Sequence, residues 1–442
     1  MVERDPTTSL HLHRWSDGPL LAVAWIAFGS GVGQFGAVAA LGDVARTFGH
    51  VITGTTVADQ AGLSGTALGI GLAIIRLASL GALPLAALAD RKGRKAVLLS
   101  VTTAGLVITL FAAASPGYWW FVVIFATGRP LLSAANSLCS VMAAEQTASK
   151  ERAKAVALIA AAYGIGAGIT AIVHSLAGSS LGFRGICLLA AVPLATLPFV
   201  ARKLEEPERY SGLRQTPSMT SPAARLWSSD GTGREFGMLA AIRPPYRNRL
   251  LVVAILTFFL STVTGPANTL VYLFAQNVVH LSGGVTAIMV VAAGFTGFGG
   301  LLVGRWCADT FGRRPTGMTA MMGVALLGIV TYGGSKIGLF VGYVVAVGVA
   351  AILAPAAGAL VNELFPTEVR ASVGGWQVAS GVVGAAIGLV VFGEVADIGN
   401  RFAIAATVTF LPSILAAHAF WLLPETKGRE PEDLWPEDRF FA

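Results

Sequence analysis

The stretch Asp90-Arg91-Lys92-Gly93-Arg94-Lys95 is a short charged segment between two long apolar segments. Its pattern, Asp-x-x-Gly-Arg followed by a basic residue, returns at Asp309-Thr310-Phe311-Gly312-Arg313-Arg314. The chain has 442 residues, so the two copies lie close to half a chain apart. A charged turn that recurs at this spacing indicates two similar halves.

Two other landmarks recur at nearly the same spacing. Glu145 and Arg152 return as Glu363 and Arg370, and Pro207-Glu208 returns as Pro424-Glu425. Three landmarks in register predict a duplicated unit of about 220 residues.

The composition indicates a helical membrane protein. Hydrophobic residues make up 54% of the chain, charged residues make up 12%, and the mean hydropathy is +0.69. A soluble protein would be about one quarter charged. The apolar residues form segments of about 20 or more, which is enough to cross a hydrocarbon core of about 30 Å. The alternating pattern of a membrane barrel is absent.

These segments predict an all-α membrane protein with 12 transmembrane helices in two six-helix bundles. The predicted spans cover residues 19–41, 63–89, 96–114, 118–144, 155–178, 185–201, 250–276, 284–307, 316–333, 338–361, 373–396 and 402–423. Residues 1–201 would form the first bundle, 202–249 a cytoplasmic linker, 250–423 the second bundle and 424–442 a cytoplasmic tail. The linker holds an amphipathic piece near residues 236–242, so we expect short surface helices there.

The basic residues predict the orientation. With the two charged turns placed inside, the inner segments hold 24 Lys and Arg residues and the outer turns hold four. This bias puts both termini in the cytoplasm. The formal charge of +7 then reflects topology and anionic lipid headgroups on the cytoplasmic side, and it does not indicate a nucleic-acid partner.

The three cysteines, Cys139, Cys187 and Cys307, lie in apolar segments with no metal-ligand or disulfide spacing, and we expect no metal and no cofactor.

The landmarks resemble those of the major facilitator superfamily over essentially the full length of the chain. The most specific is the turn itself, which reads Ala86-Ala87-Leu88-Ala89-Asp90-Arg91-Lys92-Gly93-Arg94-Lys95, with Ala86 where the family usually has Gly. Other motifs are similar to those of the sugar-porter and organic-ion branches: Gly128-Arg129, Glu363-Leu364-Phe365-Pro366-Thr367-Glu368-Val369-Arg370, Pro424-Glu425-Thr426-Lys427-Gly428, and the spaced residues Gly265, Asn268 and Tyr272.

This resemblance implies alternating access, in which two six-helix halves rock about a central site. The family pattern implies that Asp90 caps the start of span eleven near Ser372–Gly375 and that Asp309 caps span five near Lys154–Val156, because a helix N-terminus carries partial positive charge. The predicted conformational switch consists of Asp90, Arg91, Gly93, Arg94, Lys95, Glu145, Arg152, Asp309, Gly312, Arg313, Arg314, Glu363 and Arg370, with Arg94 and Arg313 paired to carboxylates such as Glu145 and Glu363. The alternative is that these residues only set the topology.

Two arginines fall near mid-depth in the predicted bundle, where charges are costly and mark candidate functional sites. They are Arg76 and Arg129, and no Asp or Glu lies clearly at their depth. We hypothesise that one of them binds the carboxylate of an anionic substrate. In the alternative, Arg76 pairs with Glu394 and Arg129 leans toward Glu145 and Arg152.

Other polar residues are candidates to line the cavity, with hydrogen bonding between helices as the alternative for each. They are Gln34, Asn136, Tyr163, Asn268, Tyr272, Gln276, Trp376 and Gln377. His174 is interpreted as a packed or interfacial residue. Candidates for ion coupling are Asp43, Glu394 and Asp397, because the first span has no carboxylate between Phe28 and Gly36.

The sequence thus predicts a secondary active or facilitative transporter that moves a small polar or anionic organic solute across the plasma membrane, with the proton as a candidate coupling ion. A drug or metabolite exporter that works as a proton antiporter and a non-transporting solute sensor remain as alternatives. A membrane enzyme is disfavoured, since the chain has no HExxH, Gly-x-Ser-x-Gly or Walker motif.

Overall fold

A computed structural model of the protein describes residues 13–50, 56–147, 149–206, 227–229, 235–237, 241–242, 244, 246–399 and 401–428. The side chains of Asp90, Arg91 and Arg152 are among those that lie outside this description. Almost all of the described chain is helical. Helices suit a bilayer, because a helix satisfies its backbone N–H and C=O groups within one segment.

The first half contains six spans and several short connecting helices. Its helices are Gly18–Ala39, Leu41–Phe48, Val57–Ala61, Gly65–Ala78, Ala82–Lys92, Arg94–Phe111, Tyr118–Gln146, Ser149–Leu188 and Ala191–Lys203, with 3₁₀ turns at Ser79–Gly81 and Ala112–Ala114. Span five and the start of span six lie in the segment Ser149–Leu188, in which two helices meet at Gly182, a non-helical residue with φ of 57°. The chain can turn there because glycine has no Cβ to clash at positive φ.

The second half repeats this plan. Its helices are Arg247–Thr269, Val271–Leu273, Gly283–Phe311, Arg313–Thr331, Lys336–Leu364, Thr367–Gly399 and Phe402–Ala416, with a π-helix at Phe274–Val278 and a 3₁₀ helix at Ala417–Leu422.

Eleven of the described helical segments are long and apolar enough to cross a membrane, judged by length and composition. The helix Arg313–Thr331, predicted as span nine, does not reach the same hydropathy, since its first turn holds Arg313, Arg314 and Pro315. It is 19 residues long and packs against spans ten and twelve. It therefore completes the second six-helix bundle, and the all-α fold with two bundles is confirmed.

The linker differs from the sequence-based expectation. Within its described part, Trp227–Ser229 and Glu235–Gly237 form a two-stranded antiparallel sheet in which Ser228 pairs with Phe236. The expectation of a surface helix that includes Phe236 is therefore wrong, because backbone hydrogen bonds in this segment run between strands.

The hydrophobic core is arranged differently at the two ends of the molecule. We call the end that holds Gly93 and Gly312 the turn face, and the opposite end, which holds Gly65 and Gly283, the distal face. Toward the distal face, one continuous cluster joins Tyr118 and Phe183 of the first half to Tyr332, Phe392 and Phe410 of the second half.

Toward the turn face, each half has its own core. Leu98 and Met142 belong to a cluster built from first-half residues, and Met321 and Phe365 belong to a cluster built from second-half residues. The two halves therefore share buried apolar surface at the distal face, where the described core is continuous.

Candidate functional site

The first charged turn is held by a carboxylate from the end of span six. Gly93 has φ of 110°, a backbone conformation that favours glycine, and the helix of span three begins at the next residue. The Glu206 carboxylate accepts hydrogen bonds from the backbone N–H groups of Arg94 at 2.6 Å and Lys95 at 2.9 Å. Arg94 also forms an ion pair with Glu145. The Glu206 carboxylate thus satisfies free N–H groups at the N-terminus of the span-three helix and complements the dipole of that helix.

The second charged turn has the same construction. Gly312 has φ of 108°, and Glu425 accepts hydrogen bonds from the backbone N–H groups of Arg313 at 2.9 Å and Arg314 at 3.1 Å. The Arg313 guanidinium lies 3.3 Å from Glu363, whose other carboxylate oxygen accepts a hydrogen bond from the Thr426 hydroxyl.

Glu425 has more donors than Glu206. The backbone N–H groups of Thr426 and Lys427 also donate to it, at 3.0 and 3.1 Å. Partial burial raises the pKa of the Glu425 carboxyl, but the four backbone donors outweigh this effect and hold its pKa below the ordinary value.

Glu206 and Glu425 are equivalent in the two halves, because the step along the chain from Glu206 to Glu425 equals the step from Gly93 to Gly312. The prolines that precede Glu208 and Glu425 predict instead that these two glutamates are equivalent, which is two residues out of register. The missed signal was the step itself, because a residue that caps the turn must repeat at the same spacing as the turn.

The remaining switch residues are placed as follows. Asp309 pairs with Arg305 at 4.0 Å and Arg313 at 3.5 Å, and its side chain is 59% exposed. No hydrogen bond between Asp309 and residues 154–156 occurs among the described residues, so its predicted cap on span five is not formed in this structure. Arg314 donates to the backbone oxygens of Phe420 and Trp421. Arg370 donates to the backbone oxygen of Phe365.

The predictions for Asp90, Arg91 and Arg152 concern side chains outside the described part of the chain.

At the distal face, Asp397 of span eleven caps the start of span two across the two halves. Its carboxylate accepts hydrogen bonds from the backbone N–H groups of Gly65 at 2.6 Å and Thr66 at 2.8 Å, and from the Thr66 hydroxyl at 2.6 Å. The two backbones are in close contact here, since a Cβ on Gly393 would lie 2.1 Å from the Gly65 carbonyl oxygen. Glu394, in contrast, is exposed, and no bond to Arg76 is present among the described residues.

The other side of the distal face is closed by spans five, seven and eight. A Cβ on Gly283 would lie 1.7 Å from the Ser175 carbonyl oxygen, so span eight starts directly against span five. Asn277, in the π-helix of span seven, donates to the backbone oxygens of Gly42 and Ala61, both at 3.3 Å. Together with the Asp397 cap, these contacts form what we call the distal gate.

A titratable pair lies within this gate. His174 Nε2 is 2.8 Å from the Asp43 carboxylate, and His174 is only 2% exposed. Gln276 of the second half places its amide nitrogen 3.5 Å from His174 Nδ1, and its backbone oxygen accepts from Arg46 at 3.3 Å.

Between the two faces, the structure brings Arg76, Arg129 and Tyr163 together closely enough to interact electrostatically. Arg129 donates one bond, to the backbone oxygen of Gln34 at 3.4 Å, and its Nε is buried without a partner in the described chain. The Arg76 side chain has no hydrogen bond or ion pair among the described residues. Glu145, the predicted alternative partner of Arg129, is bound to Arg94 instead.

Gln34 is held in place beside the arginines. Its side-chain nitrogen donates to Ser30 at 2.9 Å, and its side-chain oxygen accepts from Ser133 at 3.3 Å. Asn136, one turn beyond Ser133, has a buried side-chain oxygen with no partner in the described chain. These groups leave a polar surface with an unused donor, Arg129 Nε, and an unused acceptor, the Asn136 side-chain oxygen.

The second half contributes less to this surface than the sequence predicted. Tyr272 is 3% exposed and hydrogen-bonds to Tyr343 in the shared core, and Gln276 belongs to the distal gate. Gln276 lies in the π-helix Phe274–Val278, whose wider turn departs from α-helical spacing, whereas Tyr272 lies just before it. Asn268 is exposed and donates to its own helix at Thr264, and Trp376 packs against the second-half core.

Gln377 lines a small apolar cavity of about 40 Å³ inside the second half.

Comparisons with known proteins agree with this architecture. The sequence profile of the Major Facilitator Superfamily matches residues 20–333 and 288–437. A putative metabolite transport protein of Haemophilus influenzae is 26% identical over 383 residues, which cover 79% of this chain and 84% of that protein. A gallate transporter of Pseudomonas putida is 27% identical over 378 residues, which cover 79% of this chain and 80% of that protein.

Solved structures share the fold at low identity. The xylose transporter XylE from E. coli in an inward open conformation is 16% identical, with a TM-score of 0.69 over 94% of this chain and 99% of that chain. The nucleoside transporter NupG is 15% identical, with a TM-score of 0.69 over 91% of this chain and 98% of that chain. With two six-helix bundles and a family match over most of its length, the chain belongs to the Major Facilitator Superfamily and is a multi-pass membrane transporter of solutes.

Proposed function

We propose that this transporter carries a small organic anion, with a carboxylate as its charged group, across the cell membrane. The observation that supports it is the pair Arg76 and Arg129, whose described surroundings contain no carboxylate partner. An unpaired cation inside a membrane is costly, and two that repel each other are more so. A substrate carboxylate would relieve both penalties while it is bound.

The geometry of arginine suits this ligand. A guanidinium presents parallel N–H groups that match the two oxygens of a carboxylate. Arg129 has an unused Nε, and the nearby Asn136 oxygen and Tyr163 hydroxyl offer partners for a hydroxyl group elsewhere on the substrate. The relative described as a gallate transporter supports the same class, because gallate is an aromatic carboxylate that carries hydroxyl groups.

In this proposal, the distal gate is the part of the transporter that opens and closes. In the described structure the two halves are joined by hydrogen bonds at the distal face, so the substrate site would exchange with the turn face. We place the turn face in the cytoplasm, because the basic residues concentrate there. Opening of the distal gate, with the turn face closed, would expose the arginines to the outside.

The test is uptake into proteoliposomes of a hydroxybenzoate, its uncharged amide and a neutral sugar. We expect transport of the carboxylate alone. Arg129→Gln should lower carboxylate transport on the order of 10- to 100-fold, since a charge-assisted bidentate bond is lost. Arg129→Lys should recover only part of this, because lysine keeps the charge without the fork. Arg76→Gln should act in the same direction.

Arg184→Gln is the matched control, because Arg184 is an exposed arginine that lies over the Phe183 ring near the distal face. It should transport as the wild type does. Equal transport of the acid and its amide, or an equal loss of both in the Arg129→Gln variant, would exclude direct binding of the anion by Arg129.

A further inference from the structure

We propose that Asp43 and His174 form a proton-binding site within the distal gate, and that a proton bound there favours the closed gate. This goes beyond the transport of an anion, and it does not depend on which solute is carried. It rests on the position of the pair, on the partners of both ring nitrogens and on the burial of the site.

The pair lies where the two halves meet. Asp43 is on the short helix Leu41–Phe48 that follows span one, and His174 is on span five. The partner on the other side of the ring is Gln276, in the π-helix at the end of span seven. Opening of the gate would therefore take Gln276 away from the ring and admit water to the pair.

The two ring nitrogens have different roles. Nε2 faces the Asp43 carboxylate at 2.8 Å, so it carries hydrogen and donates. Nδ1 faces the Gln276 amide at 3.5 Å. In a neutral ring Nδ1 only accepts, and its contact with the amide N–H is long. In a protonated ring Nδ1 also donates, and the Gln276 amide can rotate to present its oxygen to this donor.

Protonation would then add a charge-assisted hydrogen bond between the halves. It would also make the buried pair neutral overall, since an imidazolium compensates the carboxylate. Burial favours such a compensated pair over a lone carboxylate. Both effects exist while the gate is closed and are lost when it opens. A proton bound at the pair therefore favours the closed gate.

The charged groups around the pair are few in the described chain. On Leu41–Phe48, Arg46 adds a positive charge that opposes proton binding, but it is exposed and its charge is screened. On Val57–Ala61, the Asp59 carboxylate is engaged by the Thr56 backbone N–H at 3.3 Å. Beyond the Gly182 bend, Arg184 lies over Phe183, and His280 after the π-helix is exposed. The first two turns of span eight, residues 283–290, contain no titratable side chain.

The experiment measures the gate directly, without substrate. Spin labels are placed on Ala114→Cys and Lys336→Cys, which are exposed positions in equivalent distal turns of the two halves. The background has Cys139, Cys187 and Cys307 replaced by alanine. In lipid, we expect the short-distance population to rise as the pH falls from about 8 to about 5.5, by at most about tenfold per pH unit for one proton.

His174→Gln should abolish this pH dependence, and Asp43→Asn should do the same, so two variants test the site if one folds poorly. His50→Gln, which changes an exposed histidine of the first half, should keep the wild-type profile. A purely structural pair would shift the distances equally at every pH and leave the slope intact. That result, or a wild-type gate that does not respond to pH, would overturn the proposal.

Discussion

The two faces of the transporter differ in the kind of contact that each contains. At the distal face, a carboxylate of one half caps a helix of the other, glycines bring backbones together, and one apolar core spans both halves. At the turn face, the described carboxylate bonds of Glu206, Glu425 and Glu363 each stay within one half, and so do the two apolar clusters.

This difference separates the residues that move from the residues that hold. The turn-face networks fix the ends of spans within each bundle, which lets each bundle behave as a rigid unit. Under the proposed alternating access, the distal contacts are the ones that would break and reform between conformations. Substitutions at the distal face should therefore change the equilibrium between gate states, whereas substitutions of the turn-face caps should change stability.

The largest effect is expected for Gly283→Ala. The new Cβ would lie 1.7 Å from the Ser175 backbone oxygen, and a backbone atom cannot rotate away as a side chain can. Overpacking of this kind costs about 1–3 kcal/mol. The ratio of closed to open gate should fall about 5- to 150-fold, as measured by the label distance between positions 114 and 336 at constant pH.

The adjacent glycine offers the control for this change. A Cβ on Gly284 would meet no atom within 4 Å, so Gly284→Ala should leave the distances unchanged. If both alanine variants behaved alike, close approach of spans five and eight would not be what closes the gate.

A smaller effect on the same equilibrium is expected for Asp397→Asn. The carboxylate accepts three hydrogen bonds from Gly65 and Thr66, and an asparagine at this position keeps only one side-chain oxygen to accept them. Loss of a helix cap costs about 1 kcal/mol, so the closed population should fall several-fold in the same distance measurement. Glu394→Gln, three residues earlier on the same helix and exposed, is the control and should not shift it.

Much of this architecture was predictable because its signals are local. The length of apolar segments gives the spans, and the repeated Asp-x-x-Gly-Arg turn gives the two halves. The sequence assigns Gly93 and Gly312 to tight turns because both follow a span and precede a basic residue. In the structure, both have positive φ. Eleven helices of the described chain meet the length and composition of a span, and the twelfth, Arg313–Thr331, is less apolar because it is only 19 residues long and starts with two arginines.

The site was harder to predict because it depends on contacts between distant spans. Asp397 lies 331 residues from Thr66, and nothing in the local sequence indicates that it caps span two. Tyr272 and Gln276 are cavity candidates in the sequence because they are polar residues of span seven, but Tyr272 is buried in the shared core and Gln276 contacts His174 in the distal gate. The sequence favours a packed or interfacial role for His174, but its partner Asp43 follows a break at Ala40 that periodicity does not show.

The turn face should respond differently, and Glu425→Gln tests this. Its four backbone donors hold the pKa of Glu425 below the ordinary value for glutamate, which is about 4.3. Ionised Glu425 therefore stabilises the fold at every pH above the ordinary value, and this stabilisation is lost as the pH falls through the lowered pKa. We expect the variant to have a lower thermal midpoint than the wild type at pH 7, with the difference closing in acid.

Glu206→Gln gives the smaller counterpart, because Glu206 caps its turn through two backbone N–H groups where Glu425 has four. Its thermal midpoint should fall less, and neither variant should alter the distance between positions 114 and 336. A gate shift in either variant would mean that the turn-face caps do not act within one half alone. The halves would then be coupled through their turns. The distinction between distal contacts that change and turn-face contacts that stay fixed would be wrong, even though the effect expected here is the smallest.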